Sequence, residues 1–281
     1  MGLDADYVAR ISPPGSITAF ALLFAGPQAT ALGALLALRA ELRESSLGRQ
    51  DHAVAHARLG WWEEETERLI GARPVHPITR TLLASAGGAR IDWTPLRGLI
   101  LAARMELARV RFETEPELEG YLQQSGGSLH RVCAELALGQ TSAAARFGTG
   151  LGRALRRCEI LEELHRDVRH GFIALPLASL DRAGLPRTAL QQPDVCTELH
   201  SVFDRFAAQV RAELAEALAA IDRPARRQLT GQLALAAGYT RRLAAHRRRG
   251  WRLLEPPPPQ RPSSTLWTIW RTVRRLEFDE E

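Results

Sequence analysis

Helix starts and helix stops follow one another from Ser16 to Arg249, and no stretch of useful length alternates apolar with polar residues. A strand with one buried face needs that alternation, so the chain is restricted to packed helices. Composition supports the same restriction. Ala and Leu dominate, aromatics make up 6% of the residues, and β-branched residues are sparse, so most positions carry strong helix formers. At 281 residues the chain is long enough to bury a substantial core as one helical domain.

The punctuation places the helices. Ser16 caps a first helix that breaks at Gly26-Pro27, and an apolar segment from Ala29 to Leu42 follows. Arg49 to Ile70 is closed by Gly71 and Pro74, and His76 to Ala86 is short. Thr94-Pro95 opens a helix to about Arg111, since proline suits the first helical turn. Thr114 to Glu117 reads as a capping box. Further helices are expected over Ser128 to Leu138, Ser142 to about Leu164, Asp194 to Ile221 and Pro224 to about Arg249, with mostly loop from His165 to Pro193. Residues 1–254 therefore read as one domain. A proline-rich linker, 255–264, follows it, and a short amphipathic tail, 265–281, ends the chain.

Charge and cysteine content exclude several classes. The net charge is +5, and with no Lys present all 37 basic residues are Arg. That balance is read as a mark of a GC-rich genome, because no nucleic-acid-binding signature accompanies it. Cys133, Cys158 and Cys196 are far apart and form no metal or disulfide pattern, which fits a reducing cytoplasm. Ile17 to Leu38 is apolar, but Gly26-Pro27 interrupts it and acidic Asp4 and Asp6 precede it, so it reads as a buried helix pair. His52 and His56 share a helix face without a third ligand and read as structural. Gly148-Thr-Gly-Leu-Gly152 has no preceding strand and reads as a helix-packing segment, not a phosphate loop. Ser125 and Ser128 lack a base.

Four segments, in order, resemble the squalene/phytoene synthase family. Arg58-Leu-Gly-Trp-Trp-Glu-Glu-Glu65 and then Arg73-Pro-Val-His-Pro77 look like that family's tryptophan helix and His-Pro turn. Glu119-Gly-Tyr-Leu-Gln-Gln-Ser-Gly126 is similar to its Tyr-and-Gly helix break. The run from Leu151 to Asp167, with Arg169-His-Gly-Phe-Ile-Ala-Leu-Pro176 behind it, looks like its second acidic motif and the loop that follows. The resemblance implies an all-α isoprenoid synthase-like helical bundle around a central cavity, with Trp61, Trp62 and Gly126 at the cavity wall beside Tyr121. It also implies head-to-head coupling of prenyl diphosphates, with Mg²⁺ held between two acidic clusters on facing helices.

Only one of those clusters is present. Glu163 and Asp167 stand at the DxxxD positions, and Glu159 lies one turn earlier on the same face. Two readings stand for the three carboxylates: metal ligands, or an acidic face paired with Arg156, Arg157 and Arg166. Where the first cluster belongs, Leu35 to Ser46 offers Arg39 and Arg43 among Glu41 and Glu44, and no Asp occurs between Asp6 and Asp51. Arg39 and Arg43, with Tyr121 and Arg169, are candidate substrate contacts, because guanidinium matches phosphate oxygens. Surface ion pairing is the alternative for the two α-helical arginines. The same loss marks the mitochondrial complex I assembly factor related to phytoene synthase, whose segment here resembles Leu38-Arg-Ala-Glu-Leu42.

The expected function is thus a catalytically degenerate member that binds a prenyl lipid or a partner protein. The alternative is an active, Mg²⁺-dependent prenyltransferase. In the tail, Trp267, Trp270, Val273 and Leu276 form a stripe with Arg271, Arg274 and Arg275 beside it. That pattern suits peripheral contact with the inner face of an anionic membrane, or else folding back onto the chain.

Overall fold

In the computed structural model, which describes residues 5–48, 51–186, 188, 190, 197–255 and 261–278, the expected helices form and no strand occurs among the described residues. They are α1 (Ala5–Ile11), α2 (Ile17–Phe24), α3 (Ala29–Leu47), α4 (His52–Ile70), α5 (Pro77–Ser85), α6 (Arg97–Leu107), α7 (Glu115–Leu122), α8 (Ser128–Leu138), α9 (Ser142–Asp167), α10 (Leu177–Asp181), α11 (Thr197–Ala219), α12 (Arg223–Gln228), α13 (Thr230–Arg248) and α14 (Pro262–Phe278).

α9 is the central helix, packed against α7, α8, α11 and α13. The Gly148–Gly152 segment explains how neighbours come so close. Gly148 and Gly152 lie one turn apart on one face. A Cβ at Gly148 would overlap the α8 backbone at His130 and Arg131, and a Cβ at Gly152 would overlap the carbonyl of Gly126. Gly150 points the other way, and a Cβ there would sit 3.2 Å from the Cβ of Ala217 on α11. Three glycines thus let one helix meet two neighbours at backbone distance.

The helix break expected around Tyr121 and Gly126 is a widened turn, not a stop. Gln123–Gly127 form a single π-helical segment that joins α7 to α8 and carries Gly126 against Gly152. Ser125 donates to the Tyr121 carbonyl at 2.8 Å within it.

Several boundaries differ from the sequence reading. α4 starts at His52 with Asp51 as its cap, the Asp51 carboxylate accepting from the Ala53 amide at 2.8 Å, and Arg49, where the sequence reading began this helix, lies outside the described residues. The expected capping box at Thr114 is not made: the Thr114 side chain does not cap, and Glu117 accepts from the amide of Glu113, one residue before the cap, at 2.7 Å. The expected helix from Pro224 to Arg249 is two helices that break at Leu229. The stretch after α9 is irregular but not exposed. Phe172 to Leu175 and Leu177 are buried, and the Leu177 and Ala178 amides donate to the carbonyls of Phe112 and Glu113 at 2.9 and 3.0 Å. The apolar Ile17–Leu38 stretch is divided between α2 and α3 by a tight turn at Gly26–Gln28. Among the described residues no helix is long and apolar enough to cross a membrane.

Pro256 to Gln260 of the expected linker, and Cys196, lie outside the described residues. The tail helix α14 begins at Pro262 and packs on α13, α12 and α2. Its docked stripe is Thr265, Ile269 and Val273, four residues apart and all buried. Trp267 and Trp270 of the expected stripe point away from the domain, 60% and 41% exposed.

Candidate functional site

The carboxylates of α9 meet the arginines of α3. Two arginines at i and i+4 on one helix face three carboxylates at i, i+4 and i+8 on the other, so the two series pair in register. Arg39 makes a two-pronged contact with Glu159, its Nη1 reaching Oε1 at 2.6 Å. Arg43 Nη2 lies 2.7 and 2.9 Å from the two oxygens of Asp167 and 2.7 Å from Glu163. Arg166 adds a rim contact to Glu163 at 2.9 Å.

A third guanidinium completes the seam from α9 itself. Arg156 is 1% exposed and reaches Glu163 at 3.2 Å, Glu159 at 3.5 Å and Glu106 of α6 at 3.3 Å. The Tyr121 phenol accepts from Arg156 Nη2 at 2.6 Å and donates to Glu106 at 2.6 Å. Ser46 donates to the other Glu106 oxygen at 2.8 Å, and the Tyr239 phenol donates to Glu159 at 3.2 Å.

The electrostatics follow from this geometry. Burial pushes the Glu163 carboxyl up, but Arg43, Arg156 and Arg166 more than offset it and hold its pKa at about 2. Glu106 and Glu159 are likewise raised by burial and lowered further by their arginines, so both end below the usual carboxylate range. Burial works against the charge on Arg39, Arg43 and Arg156 too, and the facing carboxylates reverse it, so all three titrate above an ordinary guanidinium. Tyr121 and Tyr239 are pushed up by burial and by the adjacent carboxylates, and both stay protonated donors.

These residues do not fit a Mg²⁺ centre. A hard cation needs free carboxylate oxygens. Here each of the three α9 carboxylates is engaged by arginine, and the helix opposite supplies guanidinium groups where a metal would need acids. Among the described residues no group of three or more His, Cys, Asp or Glu is arranged to hold a metal ion. A cavity of about 270 Å³ lies beside the seam, lined by Arg39, Arg43, Glu159, Glu163, His130 and Tyr239 among others. On the inner side, between α3, α6 and Arg156, only about 20 Å³ remains, room for about one water molecule.

The structure therefore brings together six of the expected residues, Arg39, Arg43, Tyr121, Glu159, Glu163 and Asp167. It separates the others. Arg169 lies exposed in the turn after α9 and makes no contact in the seam. Trp61 does not wall a cavity; it is 40% exposed on the outer face of α4. Trp62 is buried, but against His76, with ring centroids 4.8 Å apart. Gly126 is filled by Gly152 and borders no open space. Glu106 and Tyr239 were missed by the sequence reading, whereas Arg156 was expected as a partner of the acidic face and is one. The signal for Arg156 was its place one turn before Glu159 and two before Glu163 on the same helix face.

The tryptophan helix and the His-Pro turn have a different purpose. Glu65 is fully buried beneath them. One of its oxygens accepts from the Val75 and His76 amides, both at 2.9 Å, and from the Thr79 hydroxyl. The other accepts from Arg68 at 2.6 Å. His76 in turn caps α5, its Nδ1 accepting from the Ile78 amide at 3.2 Å. His52 and His56, exposed on α4, touch each other with centroids 4.6 Å apart.

Residues 16–268 match the squalene/phytoene synthase family model. Among curated proteins, a phytoene synthase of Arthrospira platensis is 27% identical over 135 residues, 43% of this chain and 44% of that protein. A phytoene synthase of Mycobacterium tuberculosis is 31% identical over 121 residues, 40% of each chain. The matched stretches thus span less than half the length of these relatives. Among solved structures, a dehydrosqualene synthase in complex with ligand superposes with a TM-score of 0.82 at 18% identity, over 96% of both chains. The squalene synthase HpnC of Alicyclobacillus acidocaldarius gives 0.72 at 18% identity, over 88% of this chain and 94% of that one. At such identities these likenesses concern the fold, which is the all-α isoprenoid synthase-like bundle.

Proposed function

This chain belongs to the squalene/phytoene synthase family, and we propose that it is a member whose diphosphate-ionising centre has been replaced by an internal ion-pair seam. In this reading it is a binding scaffold and not a prenyltransferase. The carrying observation is the pairing of Arg39 and Arg43 with Glu159, Glu163 and Asp167. Loss of diphosphate from a prenyl substrate requires its negative charge to be held as it leaves. The acidic helix of this seam is already neutralised from within, and the helix opposite turns Arg39 and Arg43 to it while its Glu41 pairs with Arg10 and Arg58. The chain's ligand in this reading is a prenyl lipid, for which the cavity of about 270 Å³ beside the seam is the place, or a partner protein. The likeness to the complex I assembly factor rests on Leu38-Arg-Ala-Glu-Leu42 and the missing aspartates, and it supports the same reading.

A second reading is favoured by a specific observation of its own. The relatives reported above are phytoene synthases, and on kinship alone an active head-to-head prenyltransferase stands ahead. In that case Arg39 and Arg43 would release the carboxylates of α9 and take the substrate's diphosphate. Incubating the full chain with farnesyl or geranylgeranyl diphosphate and Mg²⁺, and following diphosphate release, separates the two. The scaffold reading expects no release above background. Turnover that disappears in Glu163→Ala and Asp167→Ala would establish the second reading instead.

A further inference from the structure

α14 is held by one face and offers another. Thr265, Ile269 and Val273 are buried against the domain, and Arg241 of α13 fixes the helix by donating to Ser264 at 2.9 Å and to Thr268 at 3.0 Å. The helix is therefore a fixed part of the surface. On its outer side the Trp267 and Trp270 rings stack on each other, with centroids 5.0 Å apart and planes 25° from parallel. The guanidinium of Arg274 sits 5.9 Å from the centre of the Trp270 ring.

The described charged side chains of α14 beside this pair are basic, and the acids Glu277, Asp279, Glu280 and Glu281 follow Arg275 in the sequence. Arg261, Arg271, Arg274 and Arg275 are exposed along α14 and its start. The helix carries no acidic residue before Glu277. α12, which packs on α14, has the sequence Arg-Pro-Ala-Arg-Arg-Gln and no acid of its own. Two large exposed indoles stacked together are costly in water, and Trp prefers the level where headgroups meet acyl chains. Arginines flanking such rings place their charge at the phosphates of the same layer. A partner protein would need an acidic groove shaped to the stacked rings. A lipid surface needs only negative charge and an interfacial depth for the indoles, both of which this helix face matches.

We propose that the outer face of α14 is an anionic-membrane docking surface, in which Trp267 and Trp270 enter the headgroup region and Arg271, Arg274 and Arg275 bind lipid phosphates. The helix lies in the plane of the membrane and stays packed on α13, so docking requires no release of the tail. The inference is independent of whether the ion-pair seam is catalytic.

The test is co-sedimentation of the full chain with vesicles made of equal parts phosphatidylglycerol and phosphatidylcholine, alongside pure phosphatidylcholine vesicles and a vesicle-free control. Binding is expected to the anionic vesicles at low salt and to fall at least tenfold at raised salt, since these charges are exposed. The double variant Trp267→Ser with Trp270→Ser should lose binding, and its melting temperature should match the parent because neither ring is buried in the domain. The variant Arg271→Gln, Arg274→Gln, Arg275→Gln should bind about a hundredfold more weakly, and it decides the matter if the tryptophan variant melts early. Leu101→Ser, which removes an exposed apolar side chain on α6, should bind as the parent does. Absence of binding, equal binding to neutral vesicles, or binding that survives both sets of changes would overturn the proposal. Sedimentation without vesicles that is abolished by the tryptophan changes would overturn it too, by showing that the rings pair two copies of the chain.

Discussion

Two regions bury carboxylates in opposite ways. Beneath the tryptophan helix, Glu65 is held by two backbone amides, a hydroxyl and one arginine. In the seam between α3 and α9, Glu159, Glu163 and Asp167 are held almost wholly by arginines. The first arrangement fixes a loop: those amides belong to the His-Pro turn and have no helical partners of their own. The second neutralises charge without fixing any loop. Glu65 is matched mostly to neutral donors that must be satisfied, and the α9 carboxylates are matched to opposite charge. A buried ion pair is weak support for stability in itself, yet removing one member is costly.

That contrast orders the expected effects. The largest belongs to Arg156→Met, which leaves Glu106, Glu159 and Glu163 facing one another with one guanidinium fewer. A loss of about 3–5 kcal/mol is expected from urea unfolding. A loss below about 1 kcal/mol would mean that the seam is open to water. Glu65→Ala comes next. It strands the Val75 and His76 amides, and about 2–3 kcal/mol should go. Hydrogen exchange at those two amides should rise with it, whereas Arg156→Met should leave them protected.

pH sharpens the comparison further. Burial pushes the His130 pKa down to about 4, so the folded state keeps this ring neutral while the unfolded chain protonates near 6.5. Stability should therefore fall as pH drops from about 6.5 towards 4. Glu106, Glu159 and Glu163 of the seam act below that. Their folded pKa values lie under the unfolded one, so their contribution is present above about 4.5 and is lost as pH falls towards the value of about 2 held by Glu163. Urea midpoints measured across this range should show both stages, and His130→Gln should flatten the first if it folds. The smallest effect is expected from Arg166→Gln. This side chain is 44% exposed at the rim of the seam, and its loss should cost under about 1 kcal/mol at neutral pH.

Much of this was legible in the sequence, for identifiable reasons. Helix positions followed from caps and glycines, and the packing reading of Gly148–Gly152 came from the lack of a strand before it. The acidic face of α9 followed from i, i+4 spacing, but its pairing with Arg39 and Arg43 did not, since the sequence offered these arginines a phosphate or surface ion pairs. Glu106 and Tyr239 were not legible, because they join the seam from α6 and α13, far away in the chain, and nothing local marks them. Trp61 and Trp62 are adjacent in sequence, so they point about 100° apart on a helix and only one of them is covered. The tail stripe was misread because the two tryptophans outweigh Thr265 and Ile269 in bulk. A four-residue spacing through a threonine carries less apolar signal than a three-residue spacing through two indoles.

The central claim is that arginines stand where a metal-binding acidic cluster would. Mg²⁺ binding to the full chain tests it most directly, followed as the melting temperature across a Mg²⁺ titration at constant ionic strength. A ligand that binds only the folded state stabilises it by about 2.7 kcal/mol at a hundred times its dissociation constant, so a competent site would be plain to see. The account predicts a flat titration with millimolar Mg²⁺. A saturable rise that is lost in Glu163→Gln and Asp167→Asn would contradict it.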